Sequence, residues 1–533
     1  MTSKQEDYVL ENAIIDEGPP VRYRLIPKKK NLDPETDEDP KLRRWTFGKK
    51  DPNKPNKTIL LVGETGSGKS TLINALCNYV MGVKFEDKKW FEIVEEKKKD
   101  KRSQSQTSEV TVYEIFGFEG KTVPYSLTII DTPGYGDTRG IEQDSVVTQK
   151  LHDLFHLRDG VHEINAVGLV LKASENRLSD RLIYIFDSVV SLFGNDLEKN
   201  IVALVTDSDG MPPDNALQAL EDANIKCAKD ESTEPVQPVY FLFSNCQTKL
   251  IKKRSERPLK HAWETSIEGM DQFTAFLERT TPQELKITVE VLSERIILAA
   301  CINNLQNRIK MIELKQTEIQ QTQEALKKYE QEMEKNENFT IEVDEPYTER
   351  EQIDDWWDYK AVCCLRCEEN CHYPGCTLAW SPSWCKVIKK GRCTSCRGKC
   401  PVSDHVKERW RYVNKTKKVR KTLQDMLEKY EKNKTEGEKK KSLMEELQLE
   451  MEELKAEKIK WLDEAYQHVV QLEQIALNTN SLSTHVHLDY LIEKMKQGED
   501  TERIKKLEEI KSRVGEGTNK GLRYMLLPKS AKK

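Results

Sequence analysis

The chain lacks an apolar run of the length a membrane span needs, about 18 residues, and its opening MTSKQEDYVL has no secretory-signal pattern. The expectation is a cytoplasmic protein with no transmembrane segment. It also lacks a surplus of either charge. Lys and Arg number 85 against 90 Asp and Glu, a net of −5, so there is no broad basic field and nucleic acid is not an expected partner. Hydrophobic residues are scarce at 37% while 33% are charged, more polar than one large core allows. Long exposed helices absorb such an excess of charge. The 533 residues leave room for about three or four units at ~150 residues each.

Seven of the 20 prolines fall in the first 57 residues, beside an acidic stretch at 33–39. Residues 1–56 therefore read as a flexible N-terminal arm, in which 21–26 could add an edge strand. From Lys57 short apolar runs alternate with amphipathic segments: 58–62, 110–116, 126–130, 166–171, 201–205 and 239–243. Strands alternating with helices predict an α/β domain over 57–281, with a mostly parallel sheet flanked by helices.

Beyond Pro282 the pattern changes. Leu305, Ile312, Ile319, Leu326 and Met333 recur every seven residues, with Ile302 and Ile309 on the companion position and Gln316 and Gln323 interrupting it. Leu447, Leu454, Trp461, His468 and Ile475 form a second series. Helical coiled-coil segments are expected over 282–345 and 409–478, with a Cys/His-rich module at 350–408 between them and a loose Lys-rich tail at 479–533. The simplest geometry is an antiparallel helical hairpin carrying the module at its tip; two amphipathic helices of an ordinary bundle are the alternative. A helix over 284–335 would be about 75 Å long.

The strand at 58–62 runs into Gly63-Glu64-Thr65-Gly66-Ser67-Gly68-Lys69-Ser70, and Thr71 then opens a helix. The spacing G-x-x-x-x-G-K-S between a strand and a helix is that of a phosphate loop. Its glycines let successive N–H groups face phosphate oxygens, and the helix N-terminus adds positive potential. Lys69 can reach the β/γ oxygens and the Ser70 hydroxyl can ligate Mg²⁺. Sixty-two residues after Lys69, a strand ends in Asp131-Thr132-Pro133-Gly134. Asp131 suits the Mg²⁺ environment, and Gly134 leaves room for its N–H to meet a γ-phosphate.

At this point the chain resembles a TRAFAC-class GTPase, most closely the septin-like, immunity-associated GIMAP group. The phosphate loop with its T-L-I-N-A-L continuation and D-T-P-G-Y-G-D carry the likeness, together with the stretch Arg177 to Asp180 and Leu192 to Gly194. The resemblance covers about residues 57–280 and implies GTP/GDP binding, slow hydrolysis and nucleotide-dependent self-association. Thr206 and Asp209 occupy the place of the family's T-K-x-D, where Asp209 would read guanine N1 and the N2 amine; the usual lysine is Asp207 here. Asn245 sits where relatives carry F-N-N and is a candidate base or sugar contact. Thr107, before the strand at 110–116, is the candidate switch threonine for the γ-phosphate and Mg²⁺, with Thr111 its rival. Tyr135 stands where small GTPases place a water-orienting glutamine, so no catalytic residue is assigned and hydrolysis is expected to be slow. A partner's Arg139, His152 or His156 could accelerate it across a dimer of G domains.

Nine of the 13 cysteines fall between 363 and 400. The Zn²⁺ candidates are Cys364, Cys367, Cys371, His372, Cys376, Cys385, Cys393, Cys396, Cys400 and His405, including two C-x-x-C knuckles that suit tetrahedral thiolate sites. Cys363, Cys367 and Cys371 fall four apart and could share a helix face, so pairing stays open. Disulfides are the alternative, disfavoured in the cytosol. The spacing resembles a Cys/His module attached to G domains of this kind in fish and invertebrates. Three functions compete: a GTPase acting through homodimers or oligomers of its G domain and coiled coil, a coiled-coil and zinc scaffold with a non-cycling nucleotide, and an ATPase.

Overall fold

A computed structural model describes residues 14–32, 42–95, 109–132, 141–175, 178–244, 246–249, 251, 255–328, 340–353, 360–373, 381–422, 425, 436–478, 482–496 and 501–512. Eight strands form its main sheet: β1 (Lys28–Asn31), β2 (Leu42–Phe47), β3 (Asn56–Gly63), β4 (Val110–Ile115), β5 (Ser126–Asp131), β6 (Ala166–Lys172), β7 (Ile201–Thr206) and β8 (Tyr240–Leu242). Their spatial order is β8-β7-β6-β3-β5-β4-β2-β1. From β8 to β5 every pairing is parallel, β4 runs antiparallel to β5, and β2 is parallel to β4. All six predicted apolar runs are strands of this sheet.

The sheet is buried on both faces, as parallel sheets require. Leu60, Val62, Leu169 and Ala203 face one core, covered by α2 (Ile141–His156) through Leu151 and Leu154 and by α3 (Asp180–Val190) through Phe186. Ile59, Leu61, Val170 and Val202 face the other. There α1 (Lys69–Met81) adds Leu72 and Leu76, and α5 (Glu256–Arg279) adds Phe273 and Leu277. A further helix, α4 (Asp214–Asp222), buries Leu217 and Leu220. The described parts of the arm expected to be flexible over 1–56 contribute strands to this framework. Strand β2 buries Leu42 and Trp45, Trp45 meets Tyr113 edge-on, and Arg43 pairs with buried Glu109 at 2.8 Å. Val21–Arg24 pairs in a separate small sheet with Lys89–Glu92.

The chain divides into two units. One comprises the described residues up to Ser293 with Leu472–Val486 and those from Glu509 on; the other comprises Glu294–Gln471 and His487–Glu508. In the first, Leu477 N–H donates to Phe193 O (3.0 Å) and Asn478 Nδ2 to Asp187 Oδ1 (2.5 Å).

In the second unit the helical expectation holds in part. The helix α6 (Lys286–Lys328), whose residues from Glu294 on belong here, buries Ile302, Leu305, Ile309, Ile312 and Ile319. Met333 and the Leu326 side chain lie outside the described residues. The helix α7 (Glu436–Ile475) buries Leu447 and Trp461, but its inner face runs on through Leu462, Ala465 and Val469, and His468 is only partly covered. The two helices are antiparallel: Glu294 meets His468 at 2.9 Å and the Arg308 guanidinium lies 4.8 Å from the Trp461 ring.

What lies between them corrects the hairpin. Residues 340–345 and 410–422, expected to be helical, belong instead to a long antiparallel ribbon, β9 (Thr340–Gln352) with β13 (Trp410–Thr422). The β-branched Ile341, Val343, Val413 and Val419 favour strands, and cross-strand pairs Lys417–Glu345 (3.1 Å), Lys418–Glu342 (3.3 Å) and Lys415–Glu349 hold it. The ribbon folds back along α6, with Lys421 against Glu318 at 2.7 Å and Asn414 Nδ2 donating to Asn307 O at 2.8 Å. The cysteine block therefore packs beside the middle of α6, not at its tip. The tail is also not loose throughout: α8 (Leu482–Lys496) and α9 (Thr501–Ser512) bury Leu488, Leu491, Leu507 and Ile510.

Arg308 is a main link between block and helices. Arg308 forks onto Glu369 (Nε–Oε1 3.0 Å, Nη2–Oε2 2.8 Å) and donates to Ser395 O at 2.6 Å. Arg308→Met should leave Glu369 charged and half-satisfied, lowering stability by about 3–5 kcal/mol. In urea melts followed by circular dichroism the double variant Arg308→Met/Glu369→Gln should recover part of that loss.

Candidate functional site

Parallel pairing delivers the C-terminal ends of β3, β5, β6, β7 and β8 to one edge of the sheet, where ligands of open α/β sheets bind. The phosphate loop follows β3 there. Gly66 (φ +87°) and Gly68 (φ +95°) adopt the left-handed conformation that other residues resist. A Cβ on Gly63 would meet Val170 O at 2.5 Å, so this residue must be glycine for the loop to pass β6. Glu64 and Gly68 are half-buried, Thr65, Gly66 and Ser70 are exposed, and Ser67 is buried. Lys69 is buried in the first turn of α1, its Nζ donating to Gly63 O (2.6 Å) and Glu64 O (3.1 Å). Thr71 follows it, half-buried.

Asp131 ends β5, and its Oδ1 is buried with no hydrogen-bond partner. Burial pushes its carboxyl up from 3.8 to about 6, although the Lys69 charge pulls the other way. A buried, unsatisfied carboxylate oxygen beside a lysine and a glycine loop suits a divalent cation carrying phosphates. Next to it Thr132 Oγ1 donates to Leu61 O at 2.9 Å, fixing the strand end.

Thr206 faces inward. Fully buried, its hydroxyl donates to Ser67 O at 2.6 Å and approaches Leu171 O at 3.3 Å, so it braces the loop from behind instead of meeting a base. Asp209 is exposed, and its Oδ1 accepts from Met211 N–H at 3.0 Å. Ser208 N–H donates to Phe243 O (3.0 Å), which ties this turn to the β8 exit. Asp207 holds φ at +54°, and Lys172, in register with Thr206 on β6, brings its ammonium to 4.0 Å from the Asp207 carboxylate. That lysine was not expected; the register of β6 against β7 is what places it. Thr107, Gly134 and Asn245 lie outside the described residues, as do Tyr135, Arg139 and Arg177. Thr111, the rival switch residue, lies buried in β4, in register with Asp131. His152 is fully buried, 3.1 Å from Ser293 Oγ, and cannot be offered to a second molecule; His156 is exposed.

In the second unit, the strand β10 (Ala361–Cys364) pairs with β11 (Glu369–His372) and β12 (His405–Glu408). Alternation along β10 separates its adjacent cysteines. Cys364 joins the other cysteines, whereas Cys363 packs with Ala361 and Tyr412, where burial pushes its thiol up to about 12. A shared helical face for Cys363, Cys367 and Cys371 is thereby excluded. Two groups have ligand atoms within 4.8 Å of one another: Cys364, Cys367, Cys396 and Cys400, and Cys371, Cys393, Cys396 and His405. His372 and Cys385 instead face each other, Nδ1 to Sγ 3.2 Å, outside both groups. Cys376 is outside the described residues, and the cysteines within them are free thiols, not disulfides.

Residues 54–150 match the septin family model. No curated protein matches the chain. Similar solved structures include Toc33 from Arabidopsis thaliana (14% identity, 43% of this chain and 87% of that one, TM-score 0.26). The same protein in complex with Mg²⁺ and GMPPNP is 15% identical over 41% and 87% of the two chains, TM-score 0.24. The LeoA bacterial dynamin GTPase from ETEC is 14% identical over 52% of this chain and 47% of that one, TM-score 0.25. The first unit is a P-loop α/β domain with a mostly parallel sheet, and no described helix is long and apolar enough to cross a membrane.

Because the folded pKa of Asp131 lies above the ordinary value, the folded state holds a proton the unfolded chain has released between pH 4 and 6. This group's contribution to stability therefore falls as pH rises through that window. Asp131→Asn should stabilise the nucleotide-free protein at pH 7.5 by about 1–3 kcal/mol, with little gain at pH 4, in thermal melts across pH. The same variant should lose any Mg²⁺-dependent stabilisation.

Proposed function

We propose that the chain is a guanine-nucleotide switch whose P-loop domain binds GTP·Mg²⁺ and controls the helical, zinc-stapled unit. The observation that carries this reading is the buried Asp131 oxygen, without a hydrogen-bond partner and within electrostatic reach of Lys69 in the helix that follows the glycine loop. In it Lys69 neutralises the β/γ-phosphates, Ser70 ligates Mg²⁺ and Asp131 orders the metal's water shell. Thr107 and Gly134 would contact the γ-phosphate, and Asp209 and Asn245 the base and sugar. Thr206 acts through the loop, by holding Ser67.

Hydrolysis in this reading is slow, about 10⁻⁴ to 10⁻³ per second, because Tyr135 offers no amide to orient water. The output is self-assembly through the G domain and the helices, in the cytoplasm. Of the groups considered for action across a dimer, Arg139 and His156 remain, since His152 is buried. The cysteine module binds Zn²⁺, its thiolates replacing a hydrophobic core too small to stand alone.

Lys69→Ala should abolish the thermal stabilisation that GTP with Mg²⁺ confers while leaving the helical circular dichroism intact. An equal shift by ATP would favour an ATPase. GTP binding without any change of mass in light scattering, against GDP, would favour the scaffold with a non-cycling nucleotide. For base selection, Asp209→Asn should shift preference from guanosine toward xanthosine triphosphate, since an amide gives xanthine a donor where the carboxylate repels it. A variant that keeps its GTP preference in competition titrations would place base recognition elsewhere.

A further inference from the structure

The two ligand groups of the cysteine module are not independent. Cys396 belongs to both, and it is fully buried. Among the described residues, seven side chains are thus presented to two ions that would need eight if their sites were separate. A tetrahedral thiolate site with Zn–S near 2.3 Å places its sulfurs about 3.8 Å apart, inside the 4.8 Å spread of each group and close to the 3.5 Å between Cys367 and Cys400. Among the described residues, neither Cys363, on the far face of β10, nor the His372–Cys385 pair supplies an eighth ligand.

Two further observations prepare the cluster for metal. His405 is 5% exposed; its Nδ1 lies 2.9 Å from Pro401 O, while its Nε2 is buried with no hydrogen-bond partner. The carbonyl fixes the proton on Nδ1 and leaves the Nε2 lone pair for an ion, the usual carbonyl–histidine–metal arrangement. Backbone amides also point at the sulfurs: Cys367 N–H at Cys364 Sγ (3.4 Å), Cys396 N–H at Cys393 Sγ (3.3 Å) and Cys400 N–H at Cys396 Sγ (3.2 Å). Such donors favour thiolate over thiol.

We propose that Cys396 is a bridging thiolate in a binuclear zinc centre, one ion held by four sulfurs and the other by three sulfurs and His405. This rests on the reading that the module binds zinc. Each thiol releases its proton to solvent as metal enters. Six thiolates and a neutral imidazole against two divalent ions leave a net charge of −2, from −6 + 4. A thiolate retains lone pairs for a second cation, so one buried sulfur can satisfy both ions.

The test reconstitutes the full chain with ¹¹³Cd²⁺ and records its cadmium NMR spectrum together with metal content by elemental analysis. Two ions per chain are expected, giving two resonances, one all-sulfur and one shifted by nitrogen, split by scalar coupling through the shared sulfur. Cys364→Ser and Cys371→Ser should each bring the content toward one ion, whereas Cys396→Ser should release both to a competing chelator. Two ions with uncoupled resonances, or a folded Cys396→Ser protein that keeps one ion tightly, would overturn the bridge and leave zinc binding intact. A protein that takes up no Cd²⁺ or Zn²⁺ would overturn zinc binding itself. Should Cys396→Ser not fold, the coupling in the unaltered chain decides.

Discussion

Parallel pairing of β3 with β5 on one side and β6 on the other is the constraint on which the nucleotide site depends. It sets the chain direction at the middle of the sheet, so the loop after Gly63, the carboxylate of Asp131 and the turn after Thr206 all emerge on one edge. That packing is close enough to demand specific residues. A Cβ on Gly168, beside β3, would come within 2.3 Å of Leu204 Cδ1 and 3.1 Å of Leu61 Cδ2. Thr206 works in the same frame, its hydroxyl joining the end of β7 to the loop two strands away. The sheet is thus more than a support: its register is what turns distant segments of chain into one site.

The parts legible in the sequence are those where a short-range pattern and the final environment agree. Strands buried on both faces are unbroken apolar runs, and the glycine spacing of the phosphate loop is stated within eight residues, 63–70. The ribbon of β9 and β13 escaped because its stability comes from Lys–Glu pairs across strands about 70 residues apart in sequence, which read locally as a charged helix surface. Strand β2 was hidden in a proline-rich arm, since Leu42 and Trp45 find cover against residues distant in sequence, such as Val110 and Tyr113. Cysteine counting identified the metal-like block but not its pairing, because strand alternation, not spacing, sends Cys363 and Cys364 to opposite sides.

The second unit has little apolar core of its own around the cysteines. Val362, Val387 and Ala300 are the main carbon side chains among the sulfurs. Apart from the apolar seam between α6 and α7, buried polar groups tie the block to the helices. Arg308 grips the carbonyl of Ser395, between the Cys393 and Cys396 ligands, and Glu294 accepts from both His468 (2.9 Å) and Lys389 (3.1 Å). Burial alone would raise the Glu294 carboxyl, but these two donors hold it below its ordinary value. Helix and module are therefore linked by groups that tolerate neither partner's removal.

The first unit is interrupted: its chain leaves at Ser293 and returns at Leu472, where Leu477 and Asn478 bind Phe193 and Asp187. On a ribosome adding residues one after another, the nucleotide-binding half thus waits while about 180 further residues are made before its chain first returns at Leu472. During that interval Phe193 and the end of α3 lack part of their final cover. Most of the inserted unit, Glu294–Gln471, is made inside this delay, but its segment His487–Glu508 follows only after the first unit's chain has returned. Neither unit is therefore whole until the last stretch of chain has been made, since Leu472–Val486 and the residues from Glu509 on close the first and His487–Glu508 close the second.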